Sequence, residues 1–175
     1  MYPVRSVVLP ADLRGVKPGE LPKELLREVK PHGWLHHLAA DAYHALRSAA
    51  IGDGIKPFKP TSAGDTYRSI AMQRAGFLQR YQTEMIMGAS TRQWDGRTWY
   101  LKPGFAPMAA PGTSNHNLGI AVDIHTASGE RLAWMLKNCA RFGWSWEVQS
   151  EPWHIRYVAG DAVPDAVKAW KEANG

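Results

Sequence analysis

Two short polar segments constrain the fold of this chain most, because their side chains form a recognisable chemical set only if they meet in space. Residues 114–123 read Ser-Asn-His-Asn-Leu-Gly-Ile-Ala-Val-Asp, and residues 151–154 read Glu-Pro-Trp-His. His116, Asp123 and His154 supply two imidazoles and one carboxylate, a common three-ligand set of catalytic zinc sites, which keep a further position open. The sequence therefore predicts a fold that brings both segments around one Zn²⁺ ion.

The remaining carboxylate of these segments, Glu151, is predicted to act as a general base. Glu151 precedes the proposed ligand His154 by three positions. A carboxylate next to a metal site can take the proton of the attacking water, which is the usual arrangement in metal-assisted hydrolysis. Gly119 allows the backbone to turn tightly before the strand that carries Asp123. The pattern as a whole indicates a zinc-dependent hydrolase with Glu151 as its base.

The rest of the chain has the composition of one compact domain. Its 175 residues are 45% hydrophobic, which suits a single core, and its one cysteine excludes an internal disulfide. Apolar periodicity predicts helices at 22–29, 33–50, 69–87, 129–142 and 164–173, and strands at 59–67, 119–124, 144–148 and 153–158. Residues 88–113 lack periodicity and predict a long functional loop. We expect an α+β domain at 32–175, with a small antiparallel sheet carrying the zinc site, after an N-terminal arm or linker at 1–31.

The charge distribution excludes several classes of partner. The net charge is +5, but the basic residues are scattered, so no nucleic-acid-binding stripe is evident. No stretch approaches the roughly 18–20 apolar residues that a membrane span needs. The chain also begins without the apolar core of a signal peptide. We expect a monomer that is made in the cytoplasm, does not insert into a membrane and does not bind nucleic acid.

The two polar segments together resemble a known family of zinc peptidases. Ser-x-His-x-x-Gly-x-Ala-x-Asp followed by Glu-Pro-Trp-His is similar to the zinc D-alanyl-D-alanine carboxypeptidases of the VanY type. It is also similar to the phage endolysins that cut the L-alanyl-D-glutamate bond, within the hedgehog-like zinc peptidase fold. The resemblance covers roughly residues 60–158. It implies the same zinc ligands, His116, Asp123 and His154, and the same base, Glu151.

The resemblance adds residues that the spacing alone does not identify. A Tyr-Arg-Ser segment at 67–69, followed by Gln73, matches one that precedes the second helix of the family. The family places this arginine near the substrate carbonyl, so the resemblance implies that Arg68 stabilises the oxyanion. The alternative is a structural arginine that bonds a loop carbonyl. Ser114, Gln73 and Tyr67 are predicted to contact substrate or to lie beside the metal ligands.

The resemblance implies a hydrolase that acts on bacterial peptidoglycan. The lack of a signal peptide, the small size and the basic charge favour a phage endolysin, an L-alanyl-D-glutamate endopeptidase that reaches the anionic wall after release. The first alternative is a D-alanyl-D-alanine carboxypeptidase, and a virion-associated peptidase is another. An alternative of a different class is a non-catalytic wall-binding module with the same zinc fold. The presence of Glu151 favours an enzyme over that module.

The tryptophans of the chain divide into two predicted groups. Trp94 and Trp99 fall in the long loop, where they are candidates for lining a cleft. Trp134, Trp144 and Trp153 fall in patterns typical of core residues. The sequence therefore predicts that the first pair faces substrate and that the other three are buried.

Overall fold

The computed structural model of the protein describes residues 1–175 as an α+β domain of four helices and eight short strands. The helices are α1 (His37–Gly52), α2 (Ile70–Arg80), α3 (Gly129–Asn138) and α4 (Asp165–Asn174). The strands are β1 (Leu26–Glu28), β2 (Trp34–His36), β3 (Tyr81–Gln82), β4 (Thr91–Trp94), β5 (Arg97–Leu101), β6 (Ala121–Asp123), β7 (Trp144–Trp146) and β8 (His154–Tyr157). None of the helices has the length and apolar character needed to cross a lipid bilayer.

The main core lies between the sheet β6–β8–β7 and the helices around it. This sheet is antiparallel, as predicted, and β8 lies in its middle. Ile120, Ile155 and Trp144 are fully buried on the sheet side, and Leu46 of α1 packs into the same cluster. Cys139 is also buried there. Each large apolar side chain contributes about 1.5–3 kcal/mol by burial, which fixes the sheet that carries the metal-site residues.

A second, smaller aromatic cluster lies apart from the main core and contradicts one prediction. Phe77 and Tyr81 stack with ring centroids 4.5 Å apart, and Trp94 and Trp99 pack on Phe77 at 5.3 and 5.5 Å. The prediction that Trp94 and Trp99 line a cleft is therefore wrong. Their rings instead fill the space between α2 and the sheet β3–β5–β4.

The predicted loop at 88–113 contains a β-hairpin. Asp95 and Gly96 both have positive φ, 53° and 68°, and join β4 to β5 in a two-residue turn. Asp-Gly favours such turns because both central residues need positive φ. The predicted helix at 69–87 ends early, at Arg80, because Tyr81 and Gln82 pair with β5 instead.

Two further secondary-structure predictions are wrong. The predicted strand at 59–67 is a loop with a single bridge, Pro60 to Ile124, and a 3₁₀ turn at Ala63–Asp65. The predicted helix at 22–29 is a 3₁₀ turn at Lys23–Leu25 that runs into β1, which pairs with β2. At 22–29, pairing of β1 with β2 outweighs the local helical preference.

The first 31 residues pack as part of the domain. Leu13, Leu21 and Val29 belong to the main core. Tyr2 stacks on Trp146, with ring centroids 5.5 Å apart. The segment therefore lies along the surface of the sheet and adds buried area to it.

Asp12 fastens this segment to the start of α1. Its two carboxylate oxygens lie 2.7 Å from Nε2 of His36 and of His37. The buried His36 accepts the Leu38 N–H through Nδ1, so its Nε2 carries hydrogen and donates to Asp12. Burial alone would raise the pKa of Asp12, but the hydrogen bonds from His37 and His36 outweigh it and lower the pKa. Asp12 therefore stabilises the fold as a carboxylate.

We expect Asp12→Asn to lower the free energy of unfolding by about 1–3 kcal/mol at neutral pH, because it weakens two charge-assisted hydrogen bonds. A lowered folded-state pKa stabilises the protein above the unfolded value, near 3.8. The difference from wild type should therefore be full above that pH and vanish as pH falls through the folded-state pKa. Urea unfolding at several pH values measures it, with Glu20→Gln as the control. Equal stability at neutral pH would contradict the role of Asp12.

Candidate metal centre

Strand pairing brings two of the predicted metal ligands together. β6 and β8 are antiparallel, and their register places Asp123 directly opposite His154. Directly opposed residues of such a pair have Cβ atoms about 4.5–5.5 Å apart. The two predicted ligands, from segments far apart in sequence, are thus cross-strand neighbours.

The third predicted ligand, His116, lies in a capped 3₁₀ turn. His116 lies in the turn Asn115–Leu118, where the Ser114 side chain accepts the His116 N–H and the Asn117 side chain bonds back to Ser114 N–H. Gly119 ends the turn with φ of 69°, and a Cβ there would lie 2.8 Å from the backbone nitrogen of His36. The prediction that Gly119 is needed for a tight turn is confirmed.

The three side chains form a compact donor set. Oδ1 of Asp123 lies 3.2 Å from Nε2 of His116 and 2.8 Å from Nδ1 of His154. One ligand atom from each residue lies within 4.8 Å of the other two. Burial alone would raise the pKa of Asp123, but the hydrogen bonds from His116 and His154 outweigh it and hold the pKa far below its usual range. Asp123 is therefore a carboxylate at every physiological pH.

The far nitrogen of each imidazole is already hydrogen-bonded. Nδ1 of His116 donates to the Thr66 carbonyl at 2.8 Å, which turns Nε2 of the same ring towards Asp123. Nε2 of His154 lies 2.6 Å from Oε2 of Glu147. Such outer hydrogen bonds are typical of metal-binding histidines, because they fix the ring and its tautomer.

Glu147 is a site residue that the sequence analysis missed. Its Oε1 accepts a hydrogen bond from Asn115 at 3.1 Å and lies 3.4 Å from Nη1 of Arg156. The hydrogen bond from His154 is the main cause that lowers the pKa of Glu147 to about 2. Burial alone would lower the pKa of His154, but hydrogen bonds to Asp123 and Glu147 outweigh it and raise the pKa to about 9. Glu147 thus holds His154 with its Nδ1 towards Asp123.

The donor set opens into a cleft of about 780 Å³. Glu151, Ser114 and Trp153 line this cleft together with the three donors. The Glu151 carboxylate makes no hydrogen bond or ion pair with the protein, so it is free to act on a bound molecule. Trp153 is 42% exposed, which contradicts its predicted burial, whereas Trp134 and Trp144 are buried as predicted.

Arg68 lies beside the donor set, held by several protein groups. Its Nε donates to the Gly64 carbonyl, and its Nη1 lies 3.4 Å from Oε1 of Gln73. Its Nη2 lies 3.4 Å from Asp65 and 3.5 Å from Oδ2 of Asp123. Arg68 therefore bonds a loop carbonyl and also lines the cleft, and its role at the oxyanion stays a prediction.

The other two predicted site residues lie outside the cleft lining. Gln73 is fully buried and bonds the Ala109 carbonyl at 2.8 Å as well as Arg68. The Tyr67 hydroxyl accepts a hydrogen bond from Leu21 N–H at 3.1 Å and thereby ties down the N-terminal segment. Gln73 thus supports Arg68 from outside the cleft. Tyr67 contacts the N-terminal segment and does not line the cleft.

The chemistry of the donor set fits a catalytic zinc ion. Two imidazole nitrogens and one carboxylate oxygen are ligands that zinc accepts, and three protein ligands leave a position open towards the cleft. Both imidazoles have their outer hydrogen bonds in place. The residues therefore fit zinc at His116, Asp123 and His154.

The family of the chain follows from two comparisons. Residues 32–160 match the VanY family, described as D-alanyl-D-alanine carboxypeptidase. A D-alanyl-D-alanine carboxypeptidase of Enterococcus faecalis is 31% identical over 135 residues, which cover 67% of this chain and 46% of that protein. The chain belongs to the VanY family. It spans less than half the length of this relative.

Two solved structures share the fold. The first is a vancomycin-resistance D,D-pentapeptidase VanY in complex with Zn(II), with a TM-score of 0.53 and 23% identity, covering 87% of this chain and 89% of the other. The second is VanYB in complex with D-alanine-D-alanine, with a TM-score of 0.55 and 24% identity, covering 85% and 83%. At this identity the likeness shows a common fold.

Proposed function

We propose that the chain is a zinc-dependent D-alanyl-D-alanine carboxypeptidase that acts on the stem peptides of bacterial peptidoglycan. The observation that carries this proposal is the His116, Asp123 and His154 donor set at an open cleft, with the unpaired Glu151 carboxylate on the same cleft. The Enterococcus faecalis relative and the VanY family support D-alanyl-D-alanine as the substrate terminus. They favour this alternative over the predicted endolysin.

The residues of the cleft divide the work of hydrolysis. His116, Asp123 and His154 would hold the zinc ion, which would supply a Lewis acid for the scissile carbonyl and the attacking water. Glu151 takes the proton of the attacking water and passes it to the leaving amine. Arg68 offers guanidinium N–H groups to the negative charge that develops on the carbonyl oxygen. Glu147 and the Thr66 carbonyl keep the two imidazoles oriented throughout.

Mass spectrometry of digested wall peptides tests the proposal. The zinc-loaded protein is incubated with purified stem peptides that end in D-alanyl-D-alanine. We expect release of one D-alanine from the carboxyl end. A new amino-terminal D-glutamate would instead identify an L-alanyl-D-glutamate endopeptidase. Binding of the peptides without any cleavage would favour the wall-binding module.

We expect Glu147→Ala to weaken zinc binding by about 10–100-fold, because His154 loses the acceptor that fixes its ring. Competition with a fluorescent zinc chelator measures the affinity. Glu147→Gln keeps an acceptor without the charge and should fall between the two proteins. The exposed Glu172→Ala removes the same group far from the site and serves as the control. Wild-type zinc affinity in Glu147→Ala would show that Glu147 does not position His154.

A further inference from the structure

The lining of the cleft includes two cations besides Arg68. Arg80 at the end of α2 and Arg92 of β4 line the cleft, and residues 106–110 run between them. We call Arg80 and Arg92 the arginine pair. Both arginines lie on elements that pack around the small aromatic cluster. Neither arginine was among the predicted site residues.

The arginine pair has no acidic partner within the protein. Arg68, on the same cleft, lies within 4.0 Å of the carboxylates of Asp65 and Asp123, whereas no carboxylate lies that close to Arg80 or Arg92. Arg80 donates to the Ala106 carbonyl, and Arg92 donates to two backbone carbonyls. Each guanidinium has five N–H donors, so most remain available. The pair therefore presents uncompensated positive charge to whatever enters the cleft.

Both guanidinium groups are held in place before any ligand binds. Nη1 of Arg80 lies 3.0 Å from the Ala106 oxygen, and Nε of Arg92 lies 3.2 Å from the Met108 oxygen. The Tyr81 hydroxyl bonds the same Met108 carbonyl, and its ring lies 6.0 Å from the Arg92 guanidinium carbon. A fixed guanidinium loses little side-chain entropy when it binds, so the pair suits recognition of a planar anion such as a carboxylate.

The distance along α2 indicates which part of a substrate meets the pair. Arg68 lies beside the metal ligands, just before α2 begins at Ile70, and Arg80 is the last residue of that helix. Eleven helical residues span roughly 15 Å. An extended peptide covers that distance in about four residues, and three residues cover nearly as much when the farthest is a γ-linked glutamate, whose backbone path is two carbons longer. The pair therefore lies beyond the reach of a terminal dipeptide whose scissile bond is at the metal centre.

We propose that Arg80 and Arg92 form a subsite for a carboxylate in the interior of the substrate, namely the free α-carboxylate of the γ-linked D-glutamate in a stem peptide. This proposal rests on the proposed function, which places the D-alanyl-D-alanine end at the metal centre. The subsite makes the enzyme prefer D-glutamate over D-isoglutamine, in which an amide replaces the carboxylate. It binds the ligand by charge-assisted hydrogen bonds and takes no part in the chemical step.

Matched pentapeptides test the subsite. One carries D-glutamate and the other D-isoglutamine, both end in L-lysyl-D-alanyl-D-alanine, and a tripeptide with that ending lacks the second residue altogether. We expect wild-type kcat/KM to favour the glutamate peptide by about tenfold or more, mainly through KM, since hydrogen bonds to charged groups are the stronger ones. Arg92→Gln should bring the glutamate-to-isoglutamine ratio close to one. Arg92→Lys should keep part of the preference, and Arg97→Gln, on the exposed face of β5, should keep all of it.

Two results would overturn the subsite. One is equal kcat/KM of the wild type for both pentapeptides, and the other is a proportional loss for all three peptides in Arg92→Gln. Binding measurements separate this failure from failure of the proposed function. Zinc-loaded Glu151→Gln, titrated with both pentapeptides, should still bind the glutamate form more tightly if the subsite exists. Cleavage of none of the peptides by the wild type, with that difference in Kd retained, would reject the carboxypeptidase and keep the subsite.

Discussion

Glu151→Gln should lose hydrolysis by about 10²–10⁴-fold in kcat while it keeps its fold and its zinc. The amide is nearly the same size as the carboxylate but cannot accept the proton of the attacking water, and positioned acid–base groups typically contribute this much. Glu151 makes no side-chain hydrogen bond or ion pair within the protein, so its replacement breaks no stabilising contact. Zinc content and turnover of D-alanyl-D-alanine peptides are measured on the same sample.

The control for this experiment is Glu172→Gln, which makes the same change on the exposed face of α4. It should retain full turnover and zinc. Wild-type turnover in Glu151→Gln would show that another group accepts the proton. Loss of zinc in that variant would instead mean that Glu151 belongs to the ligand set, in addition to His116, Asp123 and His154.

If Arg68 stabilises the oxyanion, Arg68→Lys should lower kcat by about 10²–10³-fold, because lysine keeps the charge but loses the planar fork of donors. The wild-type guanidinium has five N–H donors, and hydrogen bonds to Gly64, Gln73 and Asp65 account for three of them. One N–H on Nη1 and one on Nη2 remain, and Nη2 also lies 3.5 Å from Oδ2 of Asp123. Steady-state kinetics with zinc in excess isolates the effect on the chemical step.

A purely structural arginine gives a different pattern. Arg68 also lies 3.5 Å from Oδ2 of Asp123, so its loss can disturb that ligand. Weaker zinc binding with unchanged kcat at saturating zinc would assign Arg68 to the support of Asp123. Unchanged kcat with a lower melting temperature would assign it to the loop at Gly64. Arg74→Lys, on an exposed position of α2, controls for the change of cation.

The metal centre could be predicted from sequence because its residue types are rare in combination. His116, Asp123, His154 and Glu151 lie in two short segments whose ligand chemistry is specific, and the structure places the first three within 4.8 Å of one another. The direct opposition of Asp123 and His154 could not be predicted, since it depends on the register of β6 and β8. That register depends on which side chains of both strands face the core, because a one-residue slip would turn each of them to the other face.

Glu147 escaped prediction for a related reason. It follows β7, and nothing in its own neighbourhood marks it as functional until His154 of β8 lies 2.6 Å away. The hairpin at Asp95 and Gly96 is different, because Asp-Gly between two aromatic segments is a strong local signal. A prediction that used this signal would have placed Trp94 and Trp99 in a packed hairpin and not in the lining of a cleft.

The hydrogen bonds of residues 1–31 limit how the chain can be shortened or fused to other domains. Gly19 accepts the Ile70 N–H at the start of α2, and its own N–H donates to the Asn117 carbonyl in the turn that carries His116. A shortened version that starts at residue 32, where the family match begins, would cut both bonds and uncover core side chains. Removal of residues 1–31 in a domain exchange would therefore destabilise the turn that carries His116, although none of those residues lies in the donor set. Fusion proteins made from this chain should keep that segment.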